Sequence, residues 1–218
     1  MRRGTARRAP TGNRRSIRLP GYDYTQAGAY FVTICAHERQ CCFGNIENEQ
    51  MRLNGMGEIV LAQWQQTAAL RAHVLLGECV VMPNHFHGIL ILTEAATGDT
   101  ASRALTSGVE QFGKPIAGSL PTLIRAFKSA VTKSINQYRD TPSAPVWQRN
   151  YYEHIIRNEA DYRRIAEYVS DNPRRWAEDS LNPDRVVAST ALDVGAAARG
   201  RGRGTARRAP TVGGGAKP

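Results

Sequence analysis

At residues 79–92 the sequence is CVVMPNHFHGILIL, two apolar runs that are joined by a Pro-Asn pair. The first run, 79–82, is short and rich in valine, which is typical of a β-strand, and Pro83-Asn84 ends it. The second run, from His85 to Leu92, has the length and the apolar content of another strand. We therefore expect two successive strands that are separated by a tight turn.

The sequence before this pair predicts an alternation of strands and helices. β-Branched and aromatic residues at 29–35 are typical of a strand, and a second pair of strands is expected around 43–46 and 51–53. A helix is predicted over 57–70, because apolar residues recur there at every fourth position. The recurring residues are Met56, Val60, Trp64 and Ala68.

The sequence after the pair begins with residues 94–119, which are rich in Gly, Ala, Ser and Thr and predict a long loop or a mobile insert. A helix is expected from Ser119 or Pro121 to about Tyr138. Residues 146–157 follow and contain a short apolar run.

A last helix is predicted to begin after Asn158, a favourable cap, with Asp161 at the third helical position. Asn172-Pro173 should end this helix, because proline disfavours helical backbone in the residue before it. This order of elements predicts an α+β domain, in which an antiparallel sheet carries helices on one face.

Basic residues are concentrated at the two ends of the chain. Residues 2–18 contain seven Arg, and residues 199–217 contain five Arg and one Lys, with no acidic residue in either segment. The rest of the chain has 16 basic and 19 acidic residues, so the net charge of +10 comes from the ends. Basic arms favour a polyanion such as nucleic acid as the partner, and a solvated tail is the alternative.

The two basic ends also share a repeat, since RGTARRAPT at residues 3–11 recurs unchanged at residues 203–211. Segments this short and this rich in Gly, Pro and Arg are typical of disorder. We therefore expect a disordered basic arm at 1–18, one folded domain at 19–178 and a mostly disordered Arg/Gly-rich tail at 179–218.

The sequence disfavours several classes of protein. It contains no apolar run of about 18 residues that could span a membrane, and its basic N-terminus lacks the apolar stretch of a secretory signal. Its four cysteines form no C-x-x-C pair, which disfavours a zinc or redox motif. Nothing in it resembles a nucleotide-binding loop.

The His85-Phe86-His87 triplet is the sharpest local signal for chemistry. Residues two apart in a strand point to the same side, so both imidazoles should project together while Phe86 packs behind them. Two imidazoles on one face make half of a metal site. Taken alone, such a pair is a weak signal, because two half-exposed histidines of an ordinary strand are more common than a metal site.

The predicted last helix supplies a second candidate. At roughly 100° per residue, Ile165 and Val169 fall on the apolar stripe, whereas Tyr168 is displaced from it by roughly 110°. Asn172 lies one turn further along, beside Tyr168. A tyrosine in such a position is commonly a surface or boundary residue. Packing roles fit the other nearby tyrosines better, namely Tyr151, Tyr152 and Tyr162.

Three motifs in order resemble the REP-associated tyrosine transposases, which belong to the single-tyrosine transposases with a His-hydrophobic-His (HUH) motif. The motifs are PNHFH at 83–87, WQRNYYEH at 147–154 and YVSDNP at 168–173. Their order and spacing match the family across roughly residues 16–178.

The resemblance implies an RRM-like or ferredoxin-like antiparallel sheet packed with helices, the HUH endonuclease fold. It implies site-specific cleavage and strand transfer of single-stranded DNA, with REP-type hairpins as substrate and a 5′-phosphotyrosine intermediate. The nucleophile would be Tyr168, and the metal ligands would be His85, His87 and Asn172. The cofactor would be Mg²⁺ or Mn²⁺, without a nucleotide cofactor.

Candidates for DNA contact are Lys128, which lies off the apolar face of its helix, together with Arg149 and Arg157. A solvated helix side is the equal alternative for Lys128. His154 matches a family position and would either form a structural hydrogen bond or support the site. Trp147 is expected in the core, with base stacking as the alternative.

The resemblance also implies a cytoplasmic, nucleoid-associated prokaryotic protein without a membrane partner, and it favours a monomer over a homodimer. Two other functions stay open. One is a non-catalytic nucleic-acid-binding protein that keeps an RRM-like sheet. The other is a replication-initiator or relaxase-type nickase, which the short chain and the absence of a helicase region disfavour.

Overall fold

The computed structural model describes residue 19 and residues 21–94 and 116–185 of the chain. The predicted basic arm at 1–18, most of the predicted loop at 94–119 and the Arg-rich repeats lie outside the described residues. No helix in the described part of the chain is long and apolar enough to cross a membrane.

The chain divides into two units, residues 1–176 and 177–218. Six strands and three α-helices lie in the first unit: β1 (Gly28–Cys35), β2 (Gly44–Glu47), β3 (Gln50–Leu53), α1 (Gly55–Ala69), β4 (Val74–Val81), β5 (His85–Leu92), α2 (Leu120–Tyr138), β6 (Tyr152–Ile156) and α3 (Glu159–Asp171). Short 3-10 turns occur at His37–Arg39 and Trp176–Glu178. In the second unit, the backbone N–H of Leu181 donates to the Asp179 carboxylate.

Four of the strands form an antiparallel sheet in the order β4-β5-β1-β6, and β2 pairs with β3 in a separate hairpin. The register of the two central strands places Thr33 opposite His87 and Cys35 opposite His85. The structure confirms, to within one residue at each end, the strands that were predicted at 29–35, 43–46, 51–53 and 85–92.

Strand β4 is longer than the predicted strand at 79–82, because it begins at Val74. Its pairing with β5 is irregular between Leu76 and Cys79, where the register shifts. This irregularity interrupts the alternation of side chains along the strand. Gly77 and Glu78 also break the apolar run at this point, so the sequence prediction covered only the second half of β4.

Helices α1 and α2 cover one face of the sheet. The rings of Trp64 and Phe127 pack on Phe86, with centroid distances of 4.8 and 5.5 Å. Phe86 is fully buried there, as its position between the two histidines predicted. At Gly88, a side chain would be 2.7 Å from the Trp64 ring, so glycine allows Trp64 to approach the strand closely.

Helix α3 covers the opposite face. Its Ile165 and Val169 are buried against Phe31 of β1 and Ile89 of β5. The prediction of helices on one face only is therefore wrong. The central strands carry apolar side chains on both faces, so helices must pack on each face to bury them.

Asparagine side chains cap the N-termini of α1 and α3. The Asn54 side chain accepts hydrogen bonds from the first turn of α1, and Asn158 accepts one from the Asp161 N–H in α3. The cap at Asn158 is the predicted one. The Asp161 carboxylate faces His154 rather than the cap, so its side chain has a partner outside the first turn.

Gly88→Ala is expected to lower the free energy of unfolding by about 1–3 kcal/mol, because the new methyl group overpacks the Trp64 and Phe86 rings. Urea denaturation measures this difference. Gly28→Ala is the matched control in a neighbouring strand, since its nearest contact would be 3.7 Å, an ordinary distance. Equal stability of the two variants would contradict close packing at Gly88.

Candidate active site

The two histidines of β5 lie side by side beneath α3. His85 is fully buried and His87 is 3% exposed. Their Nε2 atoms are 3.0 Å apart. Because Phe86 points to the other face, the two imidazoles project together as the alternation of the strand predicts. The predicted pair of metal-binding nitrogens therefore converges on one point.

The Nδ1 atom of each imidazole ring has a hydrogen-bond partner. The Asn84 amide N–H₂ donates to the Arg39 carbonyl, so its Oδ1 is left to accept from His85 Nδ1 at 2.8 Å. We therefore assign a hydrogen to His85 Nδ1. His87 Nδ1 is 2.8 Å from the Thr33 hydroxyl, which can donate or accept and so permits either tautomer of His87.

The surroundings of the pair are apolar. The Phe31 ring stacks on His87 with a centroid distance of 5.3 Å, and the Trp176 ring lies 6.0 Å from the His85 ring. Burial, and to a smaller extent His85, holds the pKa of His87 well below its usual value. His87 is therefore neutral near pH 7, which is the form that binds a metal ion.

Tyr168 reaches this pair from α3. Its hydroxyl is 3.5 Å from His87 Nε2, and its ring is 39% exposed. Tyr162, on the apolar stripe of the same helix, points elsewhere. Its hydroxyl donates to the Glu78 carboxylate, and burial together with that carboxylate raises the pKa of Tyr162. The structure thus brings Tyr168, and not Tyr162, to the histidines.

Asn172 lies one turn beyond Tyr168 at the end of α3 and is 2% exposed. Its Oδ1 is buried and accepts no hydrogen bond. An unpaired buried oxygen is unfavourable unless a ligand uses it. Among the described residues, no group of three His, Cys, Asp or Glu side chains could hold a metal ion. In the described part of the chain, a third protein ligand to a cation at the histidines would therefore be a group of another kind.

The exposure of Tyr152 contradicts one prediction from the sequence. Its side chain is 55% exposed, so it is not the packing residue that was expected. Tyr151 is half-buried and packs against the core, as predicted. Trp147 is also a core residue, 7% exposed, with its ring 5.1 Å from that of Phe43. A buried indole is not accessible to a base.

Lys128 and Arg149 border a groove of about 470 Å³ between α2 and residues 145–149. The Lys128 ammonium donates to the carbonyl oxygens of Gln148 and Arg149, at 2.7 and 3.0 Å, and burial lowers the pKa of Lys128 to about 8. Lys133 also lines the groove, and no acidic residue does. Arg157 is exposed directly after β6.

His154 joins β6 to α3. Its Nε2 is 2.9 Å from the Asp161 carboxylate, which also accepts a hydrogen bond from Arg164. These two hydrogen bonds lower the pKa of Asp161 to about 2. The predicted hydrogen bond of His154 is therefore present, and it connects the strand to the helix that carries Tyr168.

Sequence reasoning missed Thr33 and Trp176 as neighbours of the histidines. Neither position carries a signal of its own. Thr33 becomes recognisable only when the pairing of β1 with β5 places it opposite His87. Trp176 lies four residues after Asn172, outside the helix pattern that was analysed.

Asp161→Asn is expected to lower the melting temperature at pH 7, because the neutral amide loses the ionic partners. The depressed pKa of Asp161 stabilises the fold above the unfolded-state value of about 3.9, and this contribution is lost as pH falls toward 2. The difference between wild type and variant should therefore shrink below pH 4. Melting curves from pH 7 to pH 3 measure it. Glu159→Gln, which removes an exposed ion pair with Arg163, is the control and should show little change.

No known protein-family profile matches the chain. An uncharacterised protein of Haemophilus influenzae is 39% identical over 172 residues, which cover 79% of this chain and 94% of that protein. A second protein of the same strain, described as "Putative REP-associated tyrosine transposase", is 25% identical over 172 residues, with 79% and 85% covered.

Two solved structures are also similar. One, described as the REP-associated tyrosine transposase bound to a REP hairpin, has 20% identity, a TM-score of 0.45 and 72% of each chain covered. The other, described as a "putative transposase" from Deinococcus radiodurans, has 14% identity and a TM-score of 0.36, with 71% of this chain and 97% of that chain covered. The chain belongs to the same family as its 39%-identical Haemophilus influenzae relative, and it is similar to a protein described as a putative REP-associated tyrosine transposase.

Proposed function

We propose that this protein cuts and rejoins single-stranded DNA at specific sites, with Tyr168 as nucleophile and a divalent metal ion as cofactor. One observation carries the proposal: the Tyr168 hydroxyl lies 3.5 Å from His87 Nε2, which in turn lies 3.0 Å from His85 Nε2. A phenol beside two converging neutral imidazoles fits metal-assisted phosphoryl transfer. Related proteins described as transposases support the same reaction class.

The metal ion would be held by His85, His87 and Asn172. The residues fit this role, because both Nε2 atoms converge while their Nδ1 atoms are occupied, and because the buried Asn172 Oδ1 lacks a partner. Mg²⁺ or Mn²⁺ is the cation that the family resemblance implies, and two imidazoles and one amide leave positions for water and phosphate oxygens. Such a cation neutralises charge on the non-bridging oxygens of the phosphodiester.

Tyr168 would perform the covalent step. A free phenol has a pKa of about 10 and attacks best as the phenolate. Its oxygen bonds to phosphorus, the bond from phosphorus to the 3′ oxygen breaks, and that oxygen takes up a proton while the phenol proton passes to water. The product is a 5′-phosphotyrosine. A 3′-hydroxyl of another strand then attacks phosphorus, and Tyr168 leaves and regains its proton. No nucleotide cofactor is needed, because the ester bond is conserved.

The DNA would contact cationic side chains away from the histidines. Lys128, Lys133 and Arg149 line one acid-free groove in a body whose acidic residues outnumber its basic ones. Such a groove attracts phosphates, and the Arg-rich ends of the chain would add affinity that is independent of sequence. A related structure is described as bound to a REP hairpin, and we extend that substrate class to this chain.

Two alternatives compete with this proposal. A non-catalytic nucleic-acid-binding protein would bind the same DNA through the groove, but it has no need of Tyr168 beside two imidazoles. A relaxase-type nickase would form the same covalent adduct, so the DNA that is cut, a repeat hairpin in our proposal, separates the two enzymes.

Tyr168→Phe is expected to abolish the covalent adduct with DNA, since phenylalanine lacks the attacking oxygen. The measurement is denaturing electrophoresis after incubation with Mn²⁺ and labelled hairpin oligonucleotides copied from genomic repeats. Tyr162→Phe is the matched control on the same helix and should form the adduct. An adduct in Tyr168→Phe would show that another group is the nucleophile, and no adduct in wild type would favour the binding protein.

His85→Ala is expected to lower the cleavage rate by at least about 100-fold, because the loss of a ligand weakens metal binding at the site. Hairpin affinity should change little, since the groove and the chain ends carry it. Gel-shift and cleavage assays on the same preparation measure both, with the half-exposed His37→Ala as control. Parallel loss of affinity and cleavage would instead indicate a structural role for His85.

A further inference from the structure

Helix α3 leaves part of its face of the sheet open to solvent. The buried part lies around Phe31 and Ile89, whereas Tyr152 at the start of edge strand β6 is 55% exposed. Tyr152 pairs with Thr33, and Thr33 pairs with His87 on its other side, so the three residues follow one line across the sheet. Residues opposite each other in antiparallel strands point to the same face. Tyr152 therefore lies on the face that carries the histidines.

Aromatic contacts connect Tyr152 to the proposed active site. Its ring is 6.4 Å from the Phe31 ring, at an interplanar angle of 68°. Phe31 stacks on His87 and meets the Tyr168 ring edge-on at 6.1 Å. Phe31 therefore contacts Tyr152, His87 and Tyr168. An exposed ring at this place lies where nucleotides next to a phosphate at Tyr168 would pass.

We propose that Tyr152 is a stacking platform for an unpaired base of the DNA strand next to the cleaved bond, a proposal that rests on the proposed function. Exposed aromatic side chains on the open face of a sheet bind single-stranded bases by stacking. Exposed cations lie at both ends of this stretch, with Arg149 before β6 and Arg157 directly after it. A strand laid along β6 would have its phosphates near arginine and one base on Tyr152.

The charges along this face of the sheet are compatible with bound single-stranded DNA. On the helix over this face, the Asp161 carboxylate accepts hydrogen bonds from His154 and Arg164. The DNA backbone would therefore meet no free carboxylate at that position. The competing explanation is that Tyr152 is present because tyrosine favours exposed strand positions. That explanation predicts no dependence of DNA affinity on the ring.

The test compares a fluorescein-labelled oligothymidylate with the same sugar-phosphate backbone lacking bases, bound to the full chain in EDTA. Both probes have the same charge, so their affinity ratio reports base contacts and cancels phosphate contacts. Stacking tolerates any base, so the natural target sequence is not required. For wild type we expect the base-containing probe to bind about 5- to 150-fold more tightly, the range for one stacked base.

Three variants decide the outcome. Tyr152→Thr keeps a strand-favouring residue without the ring, and it should reduce the affinity ratio toward one. Tyr152→Phe keeps the ring and should retain the ratio. Tyr138→Thr removes a 63% exposed tyrosine at the end of α2 and should also retain it. An unchanged ratio in Tyr152→Thr, with a wild-type circular dichroism spectrum, would overturn the proposal.

The failure of this inference and the failure of the proposed function give different results. If wild type forms the covalent adduct but Tyr152→Thr keeps the affinity ratio, the stacking role of Tyr152 is rejected and the proposed cleavage activity is retained. If wild type forms no adduct but the ratio depends on Tyr152, the sheet binds single strands without the proposed chemistry. An equal affinity of wild type for both probes would overturn the platform directly.

Discussion

The antiparallel pairing of β1 with β5 is the constraint on which the candidate site depends. This register sets Thr33 opposite His87, so the hydroxyl and the imidazole meet at 2.8 Å. A slip by one residue would turn His85 and His87 toward α1 and α2 and expose Phe86 on the other face. The fully buried Phe86, packed against Trp64, opposes such a slip. The apolar core on one face thus positions the polar groups on the other.

Burial makes the polar groups of the site dependent on one another. Two imidazoles and an amide are removed from water, and each buried polar atom without a partner is unfavourable. Asn84 and Thr33 are the hydrogen-bond partners of the Nδ1 atoms of His85 and His87, while the two Nε2 atoms face each other at 3.0 Å. The buried Asn172 oxygen has no such partner. We propose that a bound cation completes this arrangement, and apolar rings lie beside both histidines.

Positive charge is distributed unevenly along the chain. The ends of the chain hold most of the excess positive charge, whereas the body contains more acidic than basic residues. Within the body, three cations line the groove between α2 and residues 145–149. We propose that the ends of the chain and this groove attract the DNA backbone in general. The imidazoles, the phenols and the exposed aromatic ring on the α3 face would then position one strand.

The sequence by itself determined the central strands, the three helices and the candidates His85, His87 and Tyr168, because alternation and helical periodicity are local properties of the chain. It did not determine the start of β4, where an irregular register hides the pattern, or the second covered face, which depends on what α3 packs against. Only the tertiary structure placed Thr33 behind His87 and left Tyr152 exposed. Those outcomes depend on contacts between residues far apart in the chain, to which no local pattern corresponds.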